Sequence, residues 1–302
     1  MTLNVTAVSY APKLTLPEVQ RLRSLLTASG LTLGAETRTG DSRYEVYTAD
    51  GSVDPAAGAD DGEAALAGLR GAAAVNLPAG VDTAIVPTSL RNAQRKFLIL
   101  DVDSTLIQEE VIELLAAYAG KREEVTEVTE AAMRGELDFA ESLHARVAVL
   151  AGLPADVVDS VRAEVTLSHG AAELVAAFQA AGHVVAVISG GFNQILQPIA
   201  EELGLDYWVA NELEIADGAL TGKVIGEVID RAAKEKYLRE WAAREGIPMA
   251  HTIAVGDGAN DLDMLGAAGI GVAFNAKPAV RAVADAAVNL PYLDVVRHIA
   301  GV

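Results

Sequence analysis

The feature that most constrains the fold of this sequence is a set of short apolar runs, most of which end abruptly at a polar residue. The runs occupy residues 97–100, 184–188, 252–255 and 270–273. Helical patterns lie among them at residues 171–181, 193–203 and 234–245. Short continuous apolar runs separated by helices are typical of strands buried on both faces of a sheet. The sequence therefore predicts an α/β fold, with a parallel sheet between two layers of helices.

A long insert, residues 107–168, separates the first two of these runs. Apolar residues recur in it at helical spacing, as at Val111, Leu114 and Leu115 and again at Leu143, Val147 and Leu150. A parallel crossover needs only about a dozen residues. The insert is therefore predicted to be a helical subdomain beside the strand ends.

Residues 1–90 are predicted to form a separate α+β unit. Its predicted strands cover residues 3–8, 31–38, 44–47 and 81–86. One predicted helix begins at Leu16, and a second covers residues 63–69. The order β-α-β-β-α-β is that of a ferredoxin-like fold. Residues 50–62 are expected to form a loop. The predicted division is then residues 1–90, a core of residues 91–106 and 169–302, and the helical subdomain at residues 107–168. Within the core, residues 213–227 are predicted to be a small hairpin appendage.

Composition excludes several kinds of site and disfavours several kinds of partner. The 302 residues include no cysteine, which excludes disulfides, thiolate metal sites and cysteine nucleophiles. Acidic residues outnumber basic ones by 42 to 23, and the net charge of −19 disfavours binding to nucleic acid or to anionic lipid. No apolar run approaches the roughly 18 residues of a membrane span, and residues 1–10 lack a secretory pattern. We expect a soluble cytoplasmic protein with no nucleic-acid or membrane partner.

Polar residues follow three of the predicted strands. Asp101, Ser189 and Asp257 stand at or just beyond the ends of the runs at residues 97–100, 184–188 and 252–255. In open parallel sheets, ligands bind outside the carboxyl ends of the strands. The three residues are therefore predicted to meet in one site.

The segment Asp101-Val-Asp-Ser-Thr105 offers two carboxylates to one ligand. One aspartate can attack phosphorus, and the other can transfer protons. A plain turn that caps the following helix is the alternative. A calcium loop does not fit, because Leu106 stands where the tight-turn glycine is needed.

Three further features suit a phosphate and a cation. The sequence Ser189-Gly-Gly191 can form an anion site at a helix start, although an ordinary serine cap is the alternative. The segment Gly256-Asp-Gly-Ala-Asn-Asp261 carries oxygen ligands suited to a hard divalent cation, and an acid at its third glycine position argues against a dinucleotide site. Either Lys234 or Lys236 could offset phosphate charge, the alternative being a solvated helix face.

These motifs, in this order and spacing, resemble the haloacid-dehalogenase-like phosphatases and, within them, the phosphoserine phosphatases. The likeness covers about residues 90–290 and includes the segment Ala276-Lys-Pro278. It implies a Rossmann-like parallel sheet with a helical cap insert. It also implies Mg²⁺-dependent hydrolysis of O-phospho-L-serine through an aspartyl-phosphate, the last step of serine biosynthesis.

The resemblance also implies a role for each matching residue. Asp101 would be the nucleophile, Asp103 the general acid and base, and Lys234, rather than Lys236, the fixed cation. Mg²⁺ would be held by the Asp101 carboxylate, the Asp103 carbonyl and Asp257, with Asp261 in or near the shell.

The same resemblance assigns the substrate contacts. Phosphate would meet Ser189, the Gly190 backbone and Asn260. The substrate ammonium would meet Glu110, with Glu109 as a rival, and its carboxylate would meet Arg146. Met133 and Phe139 would form an apolar wall.

The N-terminal unit resembles a divergent amino-acid-binding domain of the ACT type, but it lacks the glycine pattern of the effector loop. Homodimerisation through this unit is as plausible a role as effector binding. Two other functions remain open: a phosphatase or phosphotransferase for another small phosphate monoester, such as transfer from phosphoserine to homoserine, and a non-enzymatic amino-acid sensor. The sensor is disfavoured because no expected catalytic position is lost.

Overall fold

The computed structural model of the protein describes residues 2–54, 62–134 and 136–302. Its N-terminal part has the elements β1 (Leu3–Ala11), α1 (Leu16–Ala28), β2 (Thr32–Gly40), β3 (Glu45–Val53), α2 (Gly62–Ala74), β4 (Asp82–Pro87) and α3 (Thr88–Arg91). The four strands form an antiparallel sheet in the order β2-β3-β1-β4. The predicted order of strands and helices is confirmed. The loop predicted at residues 50–62 begins later, because β3 continues to Val53, and residues 55–61 lie outside the described residues.

Within the part of the chain that the structure describes, the larger sheet has seven strands: β5 (Phe97–Leu100), β6 (Val184–Phe192), β7 (Tyr207–Ala216), β8 (Ala219–Ile225), β9 (Thr252–Gly256), β10 (Ile270–Phe274) and β11 (Ala286–Val288). Their order is β11-β10-β9-β5-β6-β7-β8, and every pair except β7 with β8 is parallel. The four apolar runs correspond to β5, β6, β9 and β10. The predicted parallel sheet is therefore confirmed.

The hairpin at residues 213–227 is not an appendage, as predicted, but the edge of this sheet. Its first strand, β7, begins at Tyr207 and pairs in parallel with β6. The turn between β7 and β8 uses Asp217 and Gly218, both with positive φ (50° and 78°), a conformation suited to a tight hairpin. The first residues of β7, 207–210, do form a short apolar run, which sequence reasoning did not assign to a strand.

In its described residues, the insert contains four helices: α4 (Val111–Tyr118), α5 (Arg122–Met133), α6 (Phe139–Ala148) and α7 (Val157–Glu164). Where the chain leaves and re-enters the core, Ile107 bridges to Leu167. The connection between α6 and α7 is also tied to β8, because the Gly152 N–H donates to the Leu220 carbonyl at 2.8 Å. The predicted helical insert is thus closed at its base and tied to the core at β8.

Six helices cover the larger sheet: α8 (Ala171–Ala180), α9 (Asn193–Leu203), α10 (Arg231–Arg244), α11 (Leu262–Ala267), α12 (Pro278–Arg281) and α13 (Val295–Ala300). Two apolar clusters, one on each face of the sheet, form its core. Helix α10 begins three residues earlier than predicted, because the Asp230 side chain accepts the Ala233 N–H at 2.8 Å and caps it. No helix in the described part of the chain combines the length and apolar character needed to cross a membrane.

The N-terminal sheet is docked on the larger one through buried polar contacts. The carboxylate of Asp294, which is fully buried, accepts hydrogen bonds from Arg43 and from the Tyr44 hydroxyl, both at 2.7 Å. The Tyr10 hydroxyl donates to the Ala287 carbonyl at 2.7 Å. A buried carboxylate requires such partners, so these contacts fix how the two sheets are joined.

Candidate active site

The three polar residues predicted to meet do lie at one edge of the sheet. Asp101 follows β5, Asp257 follows β9, and Ser189 lies in an irregular stretch of β6. Because β6, β5 and β9 are neighbours, their carboxyl ends adjoin. All three side chains are buried, with exposed fractions of 4%, 4% and 1% for Asp101, Asp257 and Ser189.

The loop after β5 turns both of its carboxylates toward the site. Its backbone reverses at Ser104, where φ is 57°. One oxygen of Asp103 accepts the Val111 N–H at 2.8 Å, and the other accepts the Ser189 hydroxyl at 2.8 Å. Asp103 therefore satisfies a backbone donor at the start of α4, as the turn alternative supposed, and faces the site as well.

A crowded acidic cluster forms the floor of the site. Carboxylate oxygens of Asp101, Asp257 and Asp261 all lie within 4.8 Å of one another, and all three residues are buried. Burial, followed by the charge of Asp261, raises the pKa of Asp101 to about 8. Burial and the neighbouring carboxylates raise the pKa of Asp257 well above its usual value. Three convergent carboxylates are a donor set that fits a hard divalent cation.

Lys234 is the fixed positive charge of this cluster. It is fully buried, and its Nζ donates to Asp261 at 2.6 Å and also to Asp101. Burial lowers the pKa of Lys234, but the two carboxylates outweigh it, so the net pKa is raised and the ammonium stays charged. Lys236, the other candidate, is exposed, and its Nζ lies 3.4 Å from Glu227. The structure thus brings Lys234, and not Lys236, into the site.

The two candidate glutamates also separate. Glu109 accepts both the Thr166 N–H (2.9 Å) and the Thr166 hydroxyl (2.6 Å) where the insert rejoins the core. Glu110 instead lines a cavity between the insert and the core, which is described below, and its carboxylate accepts the Ser104 hydroxyl at 2.7 Å. Burial, followed by the charge of Asp103, raises the pKa of Glu110 to about 8. Of the two glutamates, Glu110 is therefore the one that lines the cavity.

A cavity lies between the insert and the core. It is lined by nine of the predicted site residues: Asp101, Asp103, Glu110, Met133, Phe139, Arg146, Gly190, Asp257 and Asn260. The buried Oδ1 of Asn260 has no hydrogen-bond partner within the described residues. This atom is available to a ligand or to a water molecule in the cavity.

The insert contributes one charged group and an apolar wall. Arg146 is 6% exposed, and it donates to the Ser142 carbonyl at 3.1 Å and to the Thr129 hydroxyl at 3.0 Å. Burial lowers the pKa of Arg146, but a guanidinium remains charged. Phe139 covers Gly190 so closely that a Cβ at Gly190 would lie 2.5 Å from the Phe139 ring. Gly190 is therefore required for this contact.

Sequence reasoning missed four residues that line the cavity and one that supports it. The lining residues are Ile112, Thr129, Ala132 and Leu143, whereas Gly191 belongs to the predicted anion site. The supporting residue is Asn211, whose Nδ2 donates to the Gly190 carbonyl at 2.8 Å. Thr129 could have been found, because it is a polar residue in the buried stripe of α5 between Val125 and Ala132.

Residues 98–266 match the model of the haloacid dehalogenase-like hydrolase family. They include the strand ends, the insert and the acidic cluster, and they make up more than half of the chain. The chain therefore belongs to this family.

Curated relatives of the chain have a more specific name than the family. The chain is 58% identical over 235 residues to a phosphoserine phosphatase from Streptomyces coelicolor, a match that covers 78% of this chain and 57% of that protein. The chain thus spans about half the length of curated relatives such as this one.

Two solved structures are similar as well. One, a phosphoserine phosphatase solved as a phospho-aspartyl intermediate analogue, is 42% identical, with a TM-score of 0.66 over 68% of this chain and 99% of that one. The other is a probable phosphoserine phosphatase from Vibrio cholerae in unliganded form. It is 36% identical, with a TM-score of 0.72 over 98% of this chain and 87% of that one.

Proposed function

We propose that this protein is a Mg²⁺-dependent phosphatase that hydrolyses O-phospho-L-serine to L-serine and phosphate. The observation that carries the proposal is the charge pattern of one cavity. An acidic cluster with a buried lysine lies at its floor, and Glu110 and Arg146 line its walls. These groups complement the phosphate, the ammonium and the carboxylate of phosphoserine. The names of the relatives agree with this assignment.

The reaction would begin with attack of an Asp101 oxygen on phosphorus. The bond from phosphorus to the serine oxygen breaks, and a proton from Asp103 passes to that oxygen. Asp103 then takes a proton from water as the water attacks the aspartyl-phosphate, which frees Asp101 and releases phosphate. Burial raises the pKa of Asp103, which favours its role as an acid. Lys234 holds an Asp101 oxygen and offsets the negative charge on the transferred group.

Mg²⁺ would be held by the carboxylates of Asp101, Asp257 and Asp261 and the backbone carbonyl of Asp103. When bound, it supplies positive charge to the phosphoryl oxygens. The protein's own part is to keep three carboxylates together: Lys234 bonds two of them, and the Asp257 and Gly258 N–H groups donate to Asp261 at 3.2 and 3.0 Å.

Phosphate oxygens would meet Ser189, the Gly190 backbone and Asn260. The Ser189 hydroxyl now donates to Asp103, and it can rotate toward a phosphate. The planar fork of Arg146 suits a carboxylate. Met133 and Phe139 would exclude water from the remaining wall.

The test compares phosphate release from phosphoserine and from para-nitrophenyl phosphate, with and without chelator. Wild-type protein should favour phosphoserine and lose activity with chelator, and Asp101→Asn should abolish turnover of both substrates. Arg146→Ala should lower kcat/KM for phosphoserine by about 100-fold, because charged hydrogen bonds are lost, and should affect the aryl phosphate much less.

Arg162→Ala is the matched control, because Arg162 is an exposed arginine of the insert outside the cavity. It should change neither activity. Equal losses on both substrates in Arg146→Ala would contradict the carboxylate assignment. Near-normal turnover by Asp101→Asn would contradict the mechanism.

We also propose an ACT-like domain over residues 1–90, a core at residues 91–106 and 169–302, a cap at residues 107–168, and a homodimer formed through the N-terminal domain. The position of β2, an exposed strand at the edge of its sheet, supports the dimer, because an edge strand can pair with a strand of a second copy. Sedimentation of the full chain should give a dimer, and a monomer at micromolar concentration would contradict this. The cytoplasmic location and the place in serine biosynthesis stay predictions.

A further inference from the structure

Ser104 has an unusual backbone conformation for its residue type. Four residues other than glycine have positive φ in the described part of the chain: Asn76, Ser104, Asp217 and Asn275. Asn and Asp tolerate this left-handed region, and serine does so less readily. Such strain persists where the surroundings require it, and it is often found at functional sites. Glycine would adopt the same turn without strain, so a serine at this position indicates that its side chain has a function.

The Ser104 side chain contacts one group that lines the cavity. Its hydroxyl donates to Glu110 Oε1 at 2.7 Å. No other hydrogen bond or ion pair to the Glu110 side chain is found within the described residues. The loop is closed beside this contact by the Ser104 N–H, which donates to the Glu109 carbonyl at 3.3 Å. The turn therefore brings the hydroxyl and Glu110 together across six positions of the chain.

We propose that Ser104 is a positioning residue that orients the Glu110 carboxylate toward the ammonium of the substrate. The inference rests on the proposed function, since Glu110 has this role only if the substrate is an amino-acid phosphate. A carboxylate with one oxygen fixed by a hydroxyl keeps its other oxygen for a cation. Without the hydroxyl, the side chain would have to be ordered when the substrate binds, which weakens binding.

Two substitutions separate the effect of the Ser104 hydroxyl from the effect of its strained backbone conformation. Ser104→Gly removes the hydroxyl and relieves the strain, and Ser104→Ala removes the hydroxyl and keeps the strain. Both should raise KM for phosphoserine by about tenfold, the loss of one hydrogen bond to a charged group. They should change kcat less, and they should change kcat/KM for para-nitrophenyl phosphate less. The glycine variant should melt about 2 °C higher than the alanine variant.

Glu110→Gln provides the second arm. In that background Ser104→Gly should raise KM for phosphoserine no further, because the two residues act as one unit. Additive effects, an unchanged KM in the single variants, or equal losses on both substrates would overturn the inference. Wild-type protein that failed to hydrolyse phosphoserine would overturn the proposed function instead, so the two failures are distinguishable.

Discussion

Asp257→Asn should stabilise the metal-free protein and at the same time remove its stabilisation by Mg²⁺. Asp257 is 4% exposed, and its carboxylate lies within 4.8 Å of those of Asp101 and Asp261. Burial and these charges raise its pKa well above the usual value. Asparagine keeps the shape of the side chain, and its oxygen can still accept the hydroxyl of Thr105, now 3.4 Å away.

The magnitude follows from the geometry. At an effective dielectric constant of about 20, two unit charges 4.8 Å apart interact by about 3.5 kcal/mol. Asp101, Asp261 and Glu110 repel the Asp257 carboxylate, and Lys234 attracts it. Because the pKa of Asp101 is raised to about 8, that carboxyl is mostly protonated at about pH 7, so Asp261 supplies most of the repulsion and Lys234 offsets much of it. Burial of the charged carboxylate is the larger cost, and asparagine removes it. We expect relief of about 2 kcal/mol, equivalent to a rise of about 5 °C in Tm.

The assay is thermal unfolding in chelator and across a Mg²⁺ titration. Wild-type protein should gain stability with Mg²⁺ by mass action, whereas Asp257→Asn should melt higher than wild type in chelator and then respond little to the ion. Asp263→Asn is the control, because Asp263 is paired with Arg231 at the surface, outside the cluster. A variant at position 257 that melted lower in chelator, or that still responded fully to Mg²⁺, would refute the electrostatic reasoning.

Three other substitutions test separate contacts. Tyr44→Phe removes a donor to the buried Asp294 and should lower the free energy of unfolding by about 2 kcal/mol in urea titrations. Burial, and then the charge of a neighbouring lysine, lower the pKa of His183 to about 4. As pH falls below about 6.5, the histidine is protonated in the unfolded chain before it is protonated in the folded one. The free energy of unfolding should therefore decrease by up to about 3 kcal/mol toward pH 4. Denaturation of His183→Gln at several pH values should lack this decrease. Thr129→Val, which removes the hydroxyl that accepts from Arg146, should raise KM for phosphoserine about fivefold in steady-state assays.

The strands that carry the site could be predicted because their signal is local. The segments at Phe97–Leu100 and Thr252–Gly256 are buried on both faces, so almost every residue is apolar whatever its neighbours are. Each ends where the chain reaches the polar edge of the sheet. The convergence of Asp101, Ser189 and Asp257 then follows from the common direction of parallel strands.

The edges of the sheet could not be predicted in the same way. The strand Ala286–Val288 has three residues, too few for any periodicity, and it exists because β10 offers a free edge. The strand that begins at Tyr207 opens with four apolar residues, which sequence reasoning did not use, and only its second half mixes apolar and polar types. Their positions depend on the neighbouring strands, which a local pattern does not contain.

The two pairs that the motifs left open, Lys234 with Lys236 and Glu109 with Glu110, show which site residues a local pattern can assign. In a helix, residues four and seven positions apart share a face, and Lys234 precedes the buried Leu238 and Trp241 by these intervals. Lys236 falls about 200° further around the helix, so periodicity alone could have assigned Lys234 to the interior. Glu109 and Glu110 precede the first turn of α4, where no period applies. Only the backbone reversal at Ser104 decides which of them lines the cavity, and no local pattern predicts a serine in that conformation.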